Sequence, residues 1–197
     1  MATVTHRTRV RQSREETRER IIAAAALLLR KRSYAELTVD EVMREAGQGR
    51  TIFYRHFDDL ADLLSRASRE AIDALYEAQR TLGAGGGPGG ADAVREAMGL
   101  AVAVYRDHGP LLRGIAEAAA GDEALASQHL AIRRRFDDLA EQWLRSRATT
   151  ADAAQTAHAL NLMNEAYLLD AFGREPLVAD EVAVRALTDI WLAVSRP

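Results

Sequence analysis

Between Arg50 and His56 stand five side chains that can donate hydrogen bonds: Arg50, Thr51, Tyr54, Arg55 and His56. No acid lies among them. With helical spacing, Ile52 and Phe53 turn inward and the five polar groups turn outward. This donor set suits a polyanion. An arginine can donate in pairs to a phosphate or to the O6/N7 edge of guanine, and hydroxyl or imidazole groups donate to phosphate oxygens. Thr38 joins the set, because a threonine N-cap opens a helix whose first backbone N–H groups also face an anion. Taken singly, Tyr54 or His56 could instead pack against a preceding helix; the group as a whole is far more specific.

These side chains need a scaffold that puts one helix forward. The segment Thr38–Phe57 supplies it. Val39, Val42 and Ala46 can pack a helix inward, Gly47 permits the positive φ of a tight turn, and Ile52 with Phe53 anchors the next helix. Glu41 lies three residues after Thr38, the spacing of a capping box. Short helices joined by such a turn form a helix-turn-helix, whose later helix enters the major groove. A first helix is expected over 14–32, with Ile22, Ala25, Ala26 and Leu29 on one face. Asp58 and Asp59 then open a fourth helix, running through Leu63, Leu64, Ala67, Ala71, Ala74 and Leu75 to about Thr81. Its acids lie favourably at the N-terminal dipole. Residues 1–13 read as a mobile basic arm with Arg7, Arg9 and Arg11.

Charge is divided along the chain. Residues 1–57 hold 12 Arg and Lys against 7 Asp and Glu, a balance of +5, whereas 58–197 hold 14 against 22, a balance of −8. A basic module on an acidic body is the pattern of a nucleic-acid binder. The absence of cysteine excludes disulfides, thiolate metal sites and thiol nucleophiles. It also fits a reducing, cytoplasmic setting. The longest apolar run, Ile21–Leu29, spans nine residues, far short of the roughly 20 that cross a bilayer. The start Met-Ala-Thr-Val-Thr-His-Arg has no apolar core of a secretory leader. The five histidines show neither i, i+4 pairing nor a Glu-x-x-His motif, and no serine sits in a nucleophile elbow. No metal or cofactor is expected, and a small helical enzyme is a remote alternative.

Beyond the fourth helix, Gly83–Gly90 reads as a flexible connector, lacking the Gly-Lys-Ser/Thr of a phosphate loop. Helices are expected at 91–107, 110–120, 122–147, 150–172 and 180–195, about nine in all, with no alternating strand pattern. The fold class is therefore all-α. In the helix at 150–172, Ala153, Ala157, Leu160, Asn164, Tyr167 and Ala171 make one face. His158, Leu162, Ala166, Leu169 and Phe172 make a second. The last helix repeats this, with Val182, Ala186, Ile190 and Val194 on one side and Val184, Leu187 and Trp191 on another. Only Glu181, Arg185, Thr188 and Ser195 look wet. Two apolar faces imply burial on two sides, either in a central core or in a two-fold four-helix interface between copies. Tyr105, Phe136, Trp143, Asn161, Asn164 and Tyr167 bring aromatic and amide groups to otherwise apolar faces, a mixture suited to an apolar ligand held by a few polar contacts.

The strings Thr17–Ala24, Tyr34, Leu37–Asp40, Arg44–Gly47 and above all Phe53-Tyr-Arg-His-Phe57 resemble the N-terminal domain of TetR-type transcriptional regulators. The recognition segment and the run Asp58-Asp-Leu-Ala-Asp-Leu-Leu64 look most like actinobacterial members that control drug-activating monooxygenases. The resemblance implies a homodimeric repressor, in the bacterial cytoplasm at the nucleoid, bound to a palindromic operator and released by a small effector. It implies a helix-turn-helix domain over 14–57 and a ligand-binding and dimerisation domain over 58–197. The two copies would join through 150–172 and 180–195. A regulator answering to a protein partner, or to no ligand, is the alternative. Several positions depart from the family. Ser33 replaces a glycine, Met43 a small residue facing the turn, and Gln48 an apolar turn residue. Gly49 replaces a capping serine, and Leu60 a lysine that grips phosphate.

Overall fold

The structure is a computed structural model; it describes residues 2–82, 90–147, 152–175 and 177–195, with side chains from Ser13 onward. The described residues form eight α-helices and one 3-10 turn, and no strand. α1 (Ala2–Leu29) leads into the 3-10 turn Tyr34–Glu36, then α2 (Val39–Glu45) and α3 (Arg50–Phe53). α4 (Leu60–Arg80) follows, then α5 (Ala91–Ala119), α6 (Glu123–Arg147), α7 (Ala153–Gly173) and α8 (Asp180–Val194). The all-α expectation holds. The connector expected at 83–90 lies outside the described residues except for Gly90, which precedes α5.

α1 and α5 differ most in extent from the sequence reading. α1 begins at Ala2 rather than near Arg14, because no proline or glycine in the basic stretch interrupts the helix. The two helices expected on either side of Gly109-Pro110 are one helix, α5, with Pro110 inside it. An interior proline costs about 3 kcal/mol in an isolated helix; here close packing outweighs it. A Cβ on Gly109 would lie 2.4 Å from the Phe172 carbonyl oxygen, so only glycine lets α5 approach the end of α7.

The helices enclose two apolar cores. The first joins Ile21, Ala25 and Leu29 of α1, Val42 and Met43 of α2, Phe53 of α3 and Phe57 beyond it. It also takes Leu63 and Leu64 from α4 and Leu111 from α5. The α1 stripe is turned slightly from the expected one, leaving Ile22 and Ala26 half-buried. The second core holds Val94, Val102, Leu144, Leu160, Leu168, Phe172, Leu187 and Trp191. α5 is the axis of the molecule, touching α1, the 3-10 turn, α4, α6, α7 and α8. On α8, Glu181 and Arg185 are exposed as expected, but Thr188 and Ser195 are buried. Their faces turn against the body, a direction that one helix's pattern does not specify.

Among the described residues, no helix is long and apolar enough to cross a membrane. No group of three or more His, Asp or Glu could hold a metal there.

Candidate nucleic-acid interface and interior cavity

α2 starts where the sequence predicts. Thr38 Oγ1 accepts from the Glu41 N–H at 3.3 Å and donates to Glu41 Oε2 at 2.8 Å. Arg32 holds the same carboxylate at 2.5 Å. Gly47 follows with φ 64°, the one positive φ among the described residues. This left-handed step lets the Gln48 N–H reach back to the Met43 carbonyl at 2.9 Å, as a helix C-terminus requires. Gly49 caps α3 without a side-chain bond. α3 has only one regular turn; looser turns carry it to Phe57, whose N–H donates to the Phe53 carbonyl at 2.9 Å.

Phe53 and Phe57 fix α3 from beneath, with ring centroids 5.6 Å apart and both rings buried. Above them Thr51, Tyr54 and Arg55 are exposed, and Tyr54 is 50% exposed. Arg50 Nη1 donates to both Asp40 carboxylate oxygens at 3.0 and 2.9 Å, and Nη2 donates to the Tyr54 hydroxyl at 3.0 Å. Asp40 thus orients the guanidinium, but the pair is open to water on both sides and is readily exchanged for a stronger anion. His56 is half-buried. Burial, then the nearby Arg14 and Arg18 charges, hold its pKa below the ordinary imidazole value.

The structure adds residues that the sequence reading left elsewhere. A cleft between α1 and α3 is walled by Ser13, Arg14, Thr17, Gln48, Arg55 and His56. Arg14 donates to the Arg55 carbonyl at 3.0 Å, tying α1 to the end of α3. The signal was present in the one-turn spacing of Arg14, Thr17 and Arg18, yet nothing local said that this face meets α3.

The body holds a partly open cavity of about 120 Å³ between α4, α5, α6 and α7, lined also by Trp191 of α8. Four of the expected ligand residues line it: Tyr105, Phe136, Asn161 and Asn164. Trp143 and Tyr167 do not. Trp143 packs on Trp191, with centroids 5.4 Å apart, and Tyr167 is a half-buried neighbour of the second core. Gln79, His129, Arg133 and Glu165 line the cavity without having been foreseen.

Most polar groups there already have partners. Asn161 accepts from Gln79 at 3.2 Å and donates to Asp137 at 2.9 Å. Asp137 also takes His158 at 2.8 Å. Asn164 accepts from the Trp191 indole N–H at 3.1 Å. Glu165 meets Arg133 at 2.8 Å and His129 at 2.8 Å. Burial pushes the Glu165 carboxyl up, but the His129 hydrogen bond and the charges of His129 and Arg133 outweigh it and its pKa is lowered. Burial, reinforced by the Glu165 charge, raises the Tyr105 phenol; it stays protonated and able to donate. The result is an apolar chamber with a neutral donor at Tyr105 and an internally balanced charge cluster.

Comparison with known proteins gives this arrangement a family. Residues 21–67 match the family "Bacterial regulatory proteins, tetR family", and residues 94–194 match "Transcriptional regulator EthR, C-terminal domain". The chain belongs to the tetR family of transcriptional regulators, with a C-terminal domain of the EthR type. It is 29% identical to the HTH-type transcriptional regulator EthR of Mycolicibacterium smegmatis, over 92% of this chain and 87% of that one. Its fold is shared with the TetR-family regulator PfmR of Thermus thermophilus. That match has a TM-score of 0.72 at 21% identity, covering 88% of this chain and 97% of the other. A transcriptional regulator from a Rhodococcus species gives 0.70 at 22% identity, covering 90% and 95%.

Proposed function

We propose that the chain is a repressor that binds a palindromic operator as a homodimer in the bacterial cytoplasm and is released by a small lipophilic effector. Residues 14–57 form the DNA-reading head, preceded by a basic arm, and residues 58–197 form the ligand-binding and dimerising body. In the head, Arg50 and Arg55 address phosphate or base edges. Thr38, Thr51, Tyr54 and His56 hold phosphates, and Arg14 lies beside Arg55 and His56 in the cleft. Donor chemistry supports these roles.

One observation carries the link between ligand and DNA. α4 places Leu63 and Leu64 in the core of the head, while Ile72, Leu75 and Gln79 of the same helix wall the cavity. A ligand that enlarges the chamber pushes on the distal half of α4 and so tilts the head. Moving a two-state population from 1:99 to 99:1 takes a preference of about 5.5 kcal/mol, within reach of an apolar molecule that fills the space between Tyr105 and Phe136. Dimerisation uses the exposed apolar stripes of α7 and α8. Leu162 on one and Val182 and Ile190 on the other are 37, 45 and 39% exposed, with Ala159 and Ala166 beside them. Two-fold pairing of these helices sets the recognition helices about 34 Å apart, one turn of duplex.

The test starts by selecting bound duplexes from a random pool, then titrating the selected duplex while screening apolar compounds by thermal shift. A palindrome, a dimer in sedimentation and release by a stabilising compound are expected. Release by no compound, with binding and dimer intact, would leave a ligand-independent regulator in place of this reading.

A further inference from the structure

Arg113 belongs to neither the reading surface nor the cavity, yet it is only 8% exposed. A buried guanidinium persists only when its donors are satisfied, and here they are shared among three separate segments. Nη2 donates to the carbonyl of Leu29, the last residue of α1, and to the Arg32 carbonyl at 2.8 Å. Nε donates to the carbonyl of Gly173, the last residue of α7, at 3.1 Å. Nη1 pairs with Glu117, one turn further along α5. The other Glu117 oxygen accepts the Tyr34 N–H at 2.6 Å, at the start of the 3-10 turn. Helix C-termini carry unpaired carbonyls and partial negative charge. One planar cation therefore caps α1 and α7 together, a geometry that the arginine fork suits and a lysine point charge does not.

The packing around it leaves no slack. A Cβ on Gly173 would lie 2.8 Å from Arg113 Cδ, and one on Gly114 would lie 2.9 Å from Leu29 Cδ1. Leu112 and Ile115, on either side of Arg113 in α5, both line the cavity. The end of α1 in the head, the end of α7 and the cavity helix thus meet at one side chain.

We propose that Arg113 is the positioning residue that sets the angle between head and body, by holding the end of α1 to the end of α7 across α5. This rests on the reading of residues 38–57 as the DNA-reading head. It adds a second route beside α4. Expansion of the cavity against Leu112 and Ile115 moves the strut, and the strut moves α1.

The absence of native cysteine allows a clean test. Spin labels are placed at Glu45→Cys in the head and Gln128→Cys in the body, both exposed in the structure. Labelled chain is diluted with unlabelled chain, and the distance distribution is read by pulsed dipolar spectroscopy. A single narrow distance is expected with Arg113 present. Arg113→Gln is expected to broaden it by about twofold, and Arg113→Lys to an intermediate width. Lowering the competent fraction to about a tenth weakens binding to the selected duplex about tenfold. If Arg113→Gln does not fold, two variants that keep the arginine decide the matter. Gly173→Ala pushes the side chain off the α7 carbonyl, and Glu117→Gln removes its anion; both are expected to broaden the distribution. Widths equal to that of the parent in all soluble variants would overturn the proposal. A parent chain that ignored every duplex would instead sink the DNA reading, while the distances would still decide the strut.

Discussion

The head and the body keep their polar side chains in opposite states. In the head, Arg50, Tyr54 and Arg55 lie in water, and the contact between Arg50 and Asp40 is open and exchangeable. In the body, Asn161, Asn164 and Glu165 are drawn inside and tied to Gln79, Trp191, Arg133 and His129. The head is a surface waiting for a partner that brings its own charge. The body holds an apolar cavity most of whose polar groups are already paired with one another, with the Tyr105 hydroxyl as a neutral donor on its wall. The difference teaches that the outer face of the head and the cavity of the body can be altered separately by mutation, except where α4 and the Arg113 junction join the two regions.

The largest break should come from beneath the reading surface. Phe53 is fully buried. Phe53→Ala should cost about 3–5 kcal/mol, seen as a fall in thermal midpoint together with loss of duplex binding. In the body, Asn164→Leu removes the acceptor of the buried Trp191 N–H and should cost about 1–3 kcal/mol. Folded protein should keep its duplex affinity; a parallel loss of both would erase the distinction between the regions. Gly47→Ala tests the turn alone. A Cβ there meets no atom within 4 Å, so the cost is that of the left-handed backbone, about 1–2 kcal/mol, read by denaturant unfolding.

Smaller effects sharpen the comparison. Tyr54→Ala should leave stability within about 0.5 kcal/mol, as for an exposed site, while weakening the selected duplex about tenfold through one lost base or phosphate contact. Unchanged affinity would remove Tyr54 from the surface. The smallest effect is expected at His56. Its pKa is depressed in the free chain, so at neutral pH it is uncharged. Its protonation as pH falls below the ordinary imidazole value of about 6.5 opposes folding. A docked phosphate reverses the local field and raises that pKa, so binding takes up a proton and tightens as pH falls. The gain from about pH 7.5 to 6 should be a few-fold, and His56→Gln should flatten it.

The local frame of α2, α3 and the start of α4 was legible because each of its signals is confined to about one turn of chain. Thr38 caps α2, Gly47 takes the left-handed step, and Asp59 accepts from the Asp62 N–H at 2.8 Å to start α4. Cap and turn preferences act through the backbone of the residue itself and need no distant neighbour. The cavity was legible only in part. Trp143 and Trp191 look alike in sequence, yet Trp191 lines the cavity and Trp143 packs against Trp191 without reaching it. Nothing in the local sequence marks Glu165 and Arg133, yet they form a half-buried pair on the cavity wall.

From sequence alone followed the helical class, the starts of α2, α3, α4 and α8, and the outward set Arg50, Thr51, Tyr54 and Arg55. Those depend on propensity, capping and periodicity, all short-range. Tertiary structure decided the rest: α5 runs unbroken through Pro110, Thr188 faces inward, and Arg113 caps two helices whose ends lie far from it along the chain. The physical reason is that burial and the pairing of a polar side chain are properties of crossings between helices, and an amphipathic pattern says that a face is covered without saying by what.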